Sequence, residues 1–211
     1  GENKMKVLLF NGSFRVKGCT YTALCEVAKT LNENGIETEI LQIGAKQVRD
    51  CIGCNKCVGK YICAFNDDIV NEWIEKSKYA DGFIFGTPVY YAHPSGRILS
   101  AMDRMFYASN NYFAQKPASV IASGRRGGTT ATLDTIVKHL TVTQMPVISS
   151  TYWNMVHGNT PEETIQDLEG MQTMRNLGRN MAWILKCIEA GKKAGINVPK
   201  VETDAWTNFI R

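Results

Sequence analysis

The chain has 211 residues, 44% of them hydrophobic and 21% charged, with 24 Lys and Arg against 20 Asp and Glu for a formal charge of +4. That length suits one domain with a buried core better than two, and the composition excludes a disordered, collagen-like or coiled-coil chain. No run of like charges marks a nucleic-acid or lipid-binding arm, and no stretch approaches the roughly 18 consecutive apolar residues of a membrane helix. Neither nucleic acid nor membrane is therefore an expected partner, and the cytoplasm is the expected location.

Residues 1–5 are read as a disordered start, with Gly1 as a remnant of tag removal. Lys6 to Asn11 (KVLLFN) has the continuous apolar character of a strand buried on both faces. Leu24, Val27, Ala28 and Leu31 fall at i, i+3, i+4 and i+7 and predict a first helix that stops at Asn34-Gly35. Glu37 to Ile43 alternates and predicts an outer strand. A cysteine-rich segment follows as far as Asn66, after which Val70, Trp73, Ile74 and Ser77 predict a second helix, with Asp67 and Asp68 in its first turn.

Gly82 to Gly86 predicts a third strand, followed by a loop. Ile98, Leu99, Met102, Met105 and Phe106 then give a third helix. Ala118 to Ser123 is a fourth strand leading into a Gly-rich loop. Leu133, Ile136, Val137 and Leu140 mark a fourth helix, and Met145 to Ile148 a fifth strand. One long last helix is expected from Pro161 through Ile188, stopped by Gly191. Such alternation builds an α/β three-layer sandwich on a five-stranded parallel sheet. A single domain at 6–190 is expected, with residues 191–211 as a C-terminal arm forming a surface element or a subunit contact.

Open parallel sheets bind ligands beyond the carboxyl ends of their strands, which directs attention to the loops after Asn11, Gly86 and Ser123. The first, Asn11 to Thr20, leads into a helix and is rich in small residues. Its backbone N–H groups, the Ser13, Thr20 and Thr22 hydroxyls and the Arg15 guanidinium suit a phosphomonoester at the helix N-terminus. The plain alternative is an ordinary strand-to-helix turn. The segment lacks the Gly-Lys-Ser/Thr ending of a Walker A loop and carries no G-x-G-x-x-G, which argues against nucleotide hydrolysis. The second loop, Gly86 to Gly96, offers exposed amides and the flat faces of Tyr90 and Tyr91 to bracket a planar ring such as an isoalloxazine, unless those tyrosines merely cover the sheet end. The third, Ser123 to Thr130, lets the main chain approach a cofactor at its glycines. Arg125 or Arg126 there either meets the phosphates of a nicotinamide dinucleotide or is simply solvated.

Taken together, Gly12-Ser13-Phe14-Arg15-Val16-Lys17-Gly18-Cys19-Thr20, Gly86-Thr87-Pro88-Val89-Tyr90-Tyr91, Gly127-Gly128 and Asp103-Arg104 resemble the motifs of the flavodoxin-like NAD(P)H-dependent FMN reductases and, within them, the iron-sulfur flavoproteins. The likeness spans about residues 6–188. Phe14 stands where Pro is more usual and Cys19 where Asn is common. The resemblance implies sheet order 2-1-3-4-5 with FMN at the switch point between strands one and three. It implies a flavin site formed by Ser13, Arg15, Cys19, Thr20, Thr22, Thr87, Pro88, Val89, Tyr90, Tyr91, Ser123, Gly124, Gly127 and Gly128. It also implies a dimer or tetramer.

Four of the seven cysteines, Cys51, Cys54, Cys57 and Cys63, form C-x2-C-x2-C-x5-C within the insert at 51–63. Such compact spacing, with Gly53 and Gly59 in the loop, can wrap an iron-sulfur cubane, serve tetrahedral zinc, or be free or disulfide-linked thiols. The resemblance favours a 4Fe-4S cluster. Cys25 and Cys187 lie in helical segments as small hydrophobes, and His93, His139 and His157 lack metal-ligand spacing. Three functions follow as expectations. The first is an FMN oxidoreductase moving electrons from NAD(P)H to a flavin, quinone or other small acceptor, with no side-chain acid or base required. The second is an iron-sulfur flavoprotein carrier exchanging electrons with a ferredoxin-like partner. The third is a non-enzymatic zinc-binding module.

Overall fold

A computed structural model describes residues 4–207; most of the start at 1–5 and the end of the arm at 191–211 lie outside the described residues. Among the described residues there are six strands: β1 (Lys6–Asn11), β2 (Glu37–Gln42), β3 (Gly82–Tyr90), β4 (His93–Pro94), β5 (Ala118–Gly124) and β6 (Met155–His157). The helices are α1 (Cys19–Glu33), α2 (Val70–Ser77), α3 (Gly96–Ser109), α4 (Thr129–Val142), α5 (Pro161–Gln166) and α6 (Leu168–Lys193). The parallel sheet runs β2-β1-β3-β5-β6. This is the expected 2-1-3-4-5 order, with the short β4 paired antiparallel to β3 as an addition.

The period of two along each buried strand divides the core. Leu8, Phe10, Phe83, Phe85 and Val120 face one way, toward Trp73 of α2, Met102 and Met105 of α3 and Ile136 of α4. Val7, Leu9, Ile84 and Ile121 face the other way, toward Leu24 and Val27 of α1 and Leu177 and Met181 of α6. The first layer is aromatic: Phe10 stacks on Phe85 with ring centroids 4.8 Å apart and meets Trp73 at 4.9 Å. Among the described residues no helix is long and apolar enough to cross a membrane.

Four details differ from the sequence expectation. The third strand continues through Pro88 to Tyr90 and turns at Tyr91 and Ala92, with φ of 49° and 61°, into β4. A hairpin with both turn residues at positive φ matches the strand twist, so the supposed loop is an extension of the sheet. The fifth strand is divided: Val147 makes an isolated parallel bridge with Ala118, and regular pairing resumes only at Met155. Pro146 has no N–H for the ladder, and the chain between bulges outward, with Ser150 Oγ donating to Thr173 O and Asn180 Nδ2 to Ser149 O. The last helix is two helices, because Asp167 leaves helical geometry (ψ 79°) and accepts the Gly170 N–H as the cap of α6. Gly191 lies inside α6, and Gly195, at φ +82°, follows its end. Asp67 and Asp68 precede α2 rather than lying in its first turn; the Asp68 carboxylate accepts the Val70 N–H from outside.

The edge strand β2 is held by a charge cluster in which Glu39 meets Lys6 at 2.8 Å and Lys76 at 2.7 Å. Partial burial works against the Glu39 charge, but hydrogen bonds and attraction from Lys6 and Lys76 outweigh it and hold the carboxyl below its ordinary value. A depressed folded value contributes stability above the ordinary carboxylate range, and that contribution is lost as pH falls through the folded value. With both partners partly exposed, Glu39→Gln is expected to cost at most about 1 kcal/mol at neutral pH. Urea unfolding of both forms at neutral and strongly acidic pH checks this, and an equal gap at the two pH values would contradict it.

Candidate functional site

The carboxyl rim of β1, β3 and β5 carries a cleft. Gly12 continues the β1–β3 ladder, its N–H donating to Gly86 O at 2.7 Å, while Ser95 Oγ donates to Gly12 O at 2.8 Å. Asn11 Oδ1 accepts the Ser13 N–H, and Ser13 Oγ accepts the Arg15 N–H, which curls the loop back over the start of α1. Gln42 from β2 pins the same turn by donating from Nε2 to Ser13 O. The N-terminus of α1 has neither a side-chain cap nor an acidic residue in its first turn. A helix start left in this condition presents unpaired N–H groups and the positive end of its dipole to an anion.

The cleft encloses about 600 Å³, counting its open mouth, and is lined by Ser13, Arg15, Cys19, Thr20, Pro88, Val89, Tyr90, Ser123, Gly124, Arg125, Gly158 and Asn159. Nine of the fourteen anticipated flavin residues are thus brought together. The Thr20 and Ser123 hydroxyls share a buried hydrogen bond of 2.7 Å beneath it. Cys19 Sγ points at Gly158 O, 3.6 Å away.

The other five lie elsewhere. Thr22 donates to Gly18 O within α1. Thr87 is fully buried, accepts the Ser95 N–H and donates to Pro88 O, so it fixes the hairpin from below. Tyr91 is 100% exposed at the hairpin tip, leaving Tyr90 as the aromatic that reaches the cleft. Gly127 has open space around it, and Gly128, at φ +93°, packs against Ala92 and Val89 and so seats α4 under the hairpin. Sequence reasoning missed Gly158 and Asn159 because it placed the fifth strand too early; the apolar Met155-Val156 pair ending at His157-Gly158 was the available signal.

A second cavity lies where the cysteine segment, which follows β2, meets α3. Cys51, Cys54, Cys57 and Cys63 all line it, together with Ile52, Asn55, Ala64, Phe65, Arg104 and Tyr107, around about 320 Å³ counting its mouth. All seven cysteines are free thiols. Gly53 and Gly59 take positive φ (62° and 71°), the conformation that lets so short a loop turn its thiols inward. Asn71 of α2 clamps Cys63 by accepting its N–H at 2.8 Å and donating to its carbonyl at 3.0 Å. Tyr107 of α3 donates to Asn55 at 2.9 Å. Burial pushes the Cys57 thiol up, and Cys63, Cys51 and Cys54 nearby push it the same way. Among the described residues no three His, Cys, Asp or Glu side chains converge tightly enough to hold a single metal ion.

The chain matches the NADPH-dependent FMN reductase family model over residues 5–160. An iron-sulfur flavoprotein of Methanocaldococcus jannaschii is 33% identical over 193 residues, covering 88% of this chain and all of that one. An iron-sulfur flavoprotein of Methanosarcina thermophila is 29% identical over 175 residues, covering 81% and 88%. Among solved structures, an NAD(P)H:quinone oxidoreductase from Methanothermobacter marburgensis superposes with a TM-score of 0.63 at 15% identity, covering 85% of this chain and 98% of that one. A flavodoxin from the Archaea gives 0.59 at 13%, with 86% and 99% covered. At such identities the superpositions speak to the fold. With three strand-end loops converging on an anion-ready helix start and four cysteines around one cavity, the chain belongs to the NADPH-dependent FMN reductase family, in its iron-sulfur flavoprotein branch, and is a flavin oxidoreductase with FMN as cofactor.

Proposed function

We propose that this protein passes electrons between NAD(P)H, FMN at the sheet rim and a 4Fe-4S cluster on Cys51, Cys54, Cys57 and Cys63, delivering them to an acceptor. The observation that carries the cluster is the arrangement of its thiols. Four cysteines, Cys51, Cys54, Cys57 and Cys63, line one cavity, and a cubane offers four iron corners, each satisfied by one thiolate. The relatives bearing the iron-sulfur flavoprotein name support the same choice.

When bound, FMN supplies two-electron acceptance of hydride and one-electron release, and an iron-sulfur cluster supplies one-electron transfer. The chain's own residues bind and orient. The start of α1, Ser13 and Arg15 would hold the phosphate. Pro88, Val89 and Tyr90 form one wall for the ring, and the Ser123-Gly124 backbone approaches from β5. Arg125, which lines the cleft, would be the cation that meets a nicotinamide dinucleotide phosphate. No proton-transfer side chain is required of the protein. The spectrum of anaerobically purified protein, before and after NADPH, tests the reading. A yellow protein whose blue absorbance bleaches within seconds, and which contains iron and sulfide, supports it; a colourless zinc protein overturns it.

Arg15 is the charged residue of the loop before α1 that lines the cleft. A charge-assisted hydrogen bond from it to the phosphate is worth about 1.5–3 kcal/mol. Arg15→Ala is therefore expected to weaken FMN binding roughly tenfold or more by that principle, with little change in melting temperature of the apoprotein. Fluorescence titration of the apoprotein with FMN and with riboflavin checks it: the loss should fall on FMN and spare riboflavin.

A further inference from the structure

Arg104 is the largest charged group in the core, 2% exposed on α3. Every hydrogen bond it makes goes to the cysteine segment or its immediate continuation. Its Nη1 donates to Arg49 O at 3.1 Å and to the Asp68 carboxylate, and Nη2 donates to Phe65 O at 3.1 Å. The ring of Phe65 covers the guanidinium. The remaining edge of the fork, Nε, donates to Cys63 Sγ at 3.2 Å. Anchoring the segment requires only the two carbonyls and Asp68. The contact with sulfur is different in kind, because it places a cationic donor on an atom of the metal-binding set. Among the described residues no other side chain donates to the sulfur of any of the four cysteines.

We propose that Arg104 is a positioning residue that raises the reduction potential of the cluster through its Nε–H···Sγ hydrogen bond to Cys63. The inference rests on the 4Fe-4S reading above. A positively charged donor on a ligating thiolate draws electron density from sulfur, which stabilises the centre after it gains an electron more than before. Asp68 fixes the fork so that Nε faces Cys63, and its negative charge offsets part of the effect. Cys63 does not need Arg104 to stay in place, because Asn71 holds its backbone at both N–H and C=O. The electronic contribution is therefore separable from ligation.

The test is an EPR-monitored redox titration of the holoprotein, anaerobically purified, for wild type, Arg104→Lys and Asp68→Asn, with iron, sulfide and FMN measured on each sample. Arg104→Lys should keep its iron and sulfide while the ratio of reduced to oxidised cluster at a fixed poise falls roughly tenfold, a shift of about 59 mV to more negative potential for one electron. The FMN couple should stay where it is. Asp68→Asn should move the cluster in the opposite direction. A fully loaded Arg104→Lys protein with an unchanged cluster potential overturns the proposal. Should both variants shed iron, pulsed EPR of reduced wild type carrying 15N-arginine decides: a nitrogen coupling supports the contact with sulfur, and its absence removes it. A wild type that takes up neither iron nor sulfide instead defeats the cluster reading itself, leaving the FMN site untouched.

Discussion

Gly12→Ala should both unfold the protein at lower temperature and empty the flavin cleft. A methyl at Gly12 would sit 2.7 Å from Ile98 Cβ and 2.9 Å from Gly86 O. Neither neighbour can yield: one is the root of a fully buried side chain on α3, the other a backbone carbonyl of β3 that also accepts the Gly12 N–H. Overpacking of this kind costs about 3 kcal/mol, near the upper end of its usual range. For a chain of this size such a loss lowers the melting temperature by roughly 6–12 °C. The same displacement pushes Ser13 and Arg15 away from the start of α1, so FMN retention should fall even in protein that remains folded. Gly96→Ala is the matched control. It lies in the first turn of α3 with open space around the added methyl, and it should leave both melting temperature and flavin content unchanged or slightly improved. Thermal unfolding and flavin content of the three proteins check the pair. Equal behaviour of Gly12→Ala and Gly96→Ala would mean that the close packing of Gly12 against β3 and α3 does not govern the site.

The second large effect concerns separability. Cys51→Ser with Cys54→Ser removes two of the four thiols, Cys54 being exposed and Cys51 partly so, and therefore touches the core little. Iron should fall below about a tenth of the wild-type content, since hydroxyls do not replace thiolates on a cluster. FMN should remain at wild-type stoichiometry, because no residue of the insert at 51–63 lines the cleft. NADPH should still bleach the flavin, while one-electron delivery to an acceptor slows sharply. Iron retained in the double variant would place the metal elsewhere; loss of flavin with the iron would show that the two sites fold as one.

Strands one, three and four were legible because each is a short apolar run bounded by Gly, Asn or Ser, as parallel strands buried on both faces are, and strand two because its alternation suits a sheet edge. Two signals misled. Pro146 interrupts an apolar run that pattern alone reads as a strand, and the real pairing waits for Met155. Pro88 looked like a loop residue, whereas it lies on β3 in register with Ser123 of β5, beyond the point where β1 stops pairing with β3, so a missing N–H is tolerated there. The cleft was legible at its phosphate end, where the loop chemistry is local to Gly12–Thr20. Its far wall was not, because Gly158 and Asn159 arrive from a strand the sequence misplaces. Arg104 marks the limit most clearly. Its place beside Asp103 in a motif was visible, but nothing in the sequence brings it 41 positions back to Cys63; only the packing of α3 against the cysteine segment does.

The most direct measurement of the central claim is the crystal structure of the protein grown with FMN. Phosphate density is expected at the start of α1 beside Ser13 and Arg15, with the ring against Pro88, Val89 and Tyr90. A cleft closed by its own side chains, or a flavin seated anywhere but this rim, would contradict it.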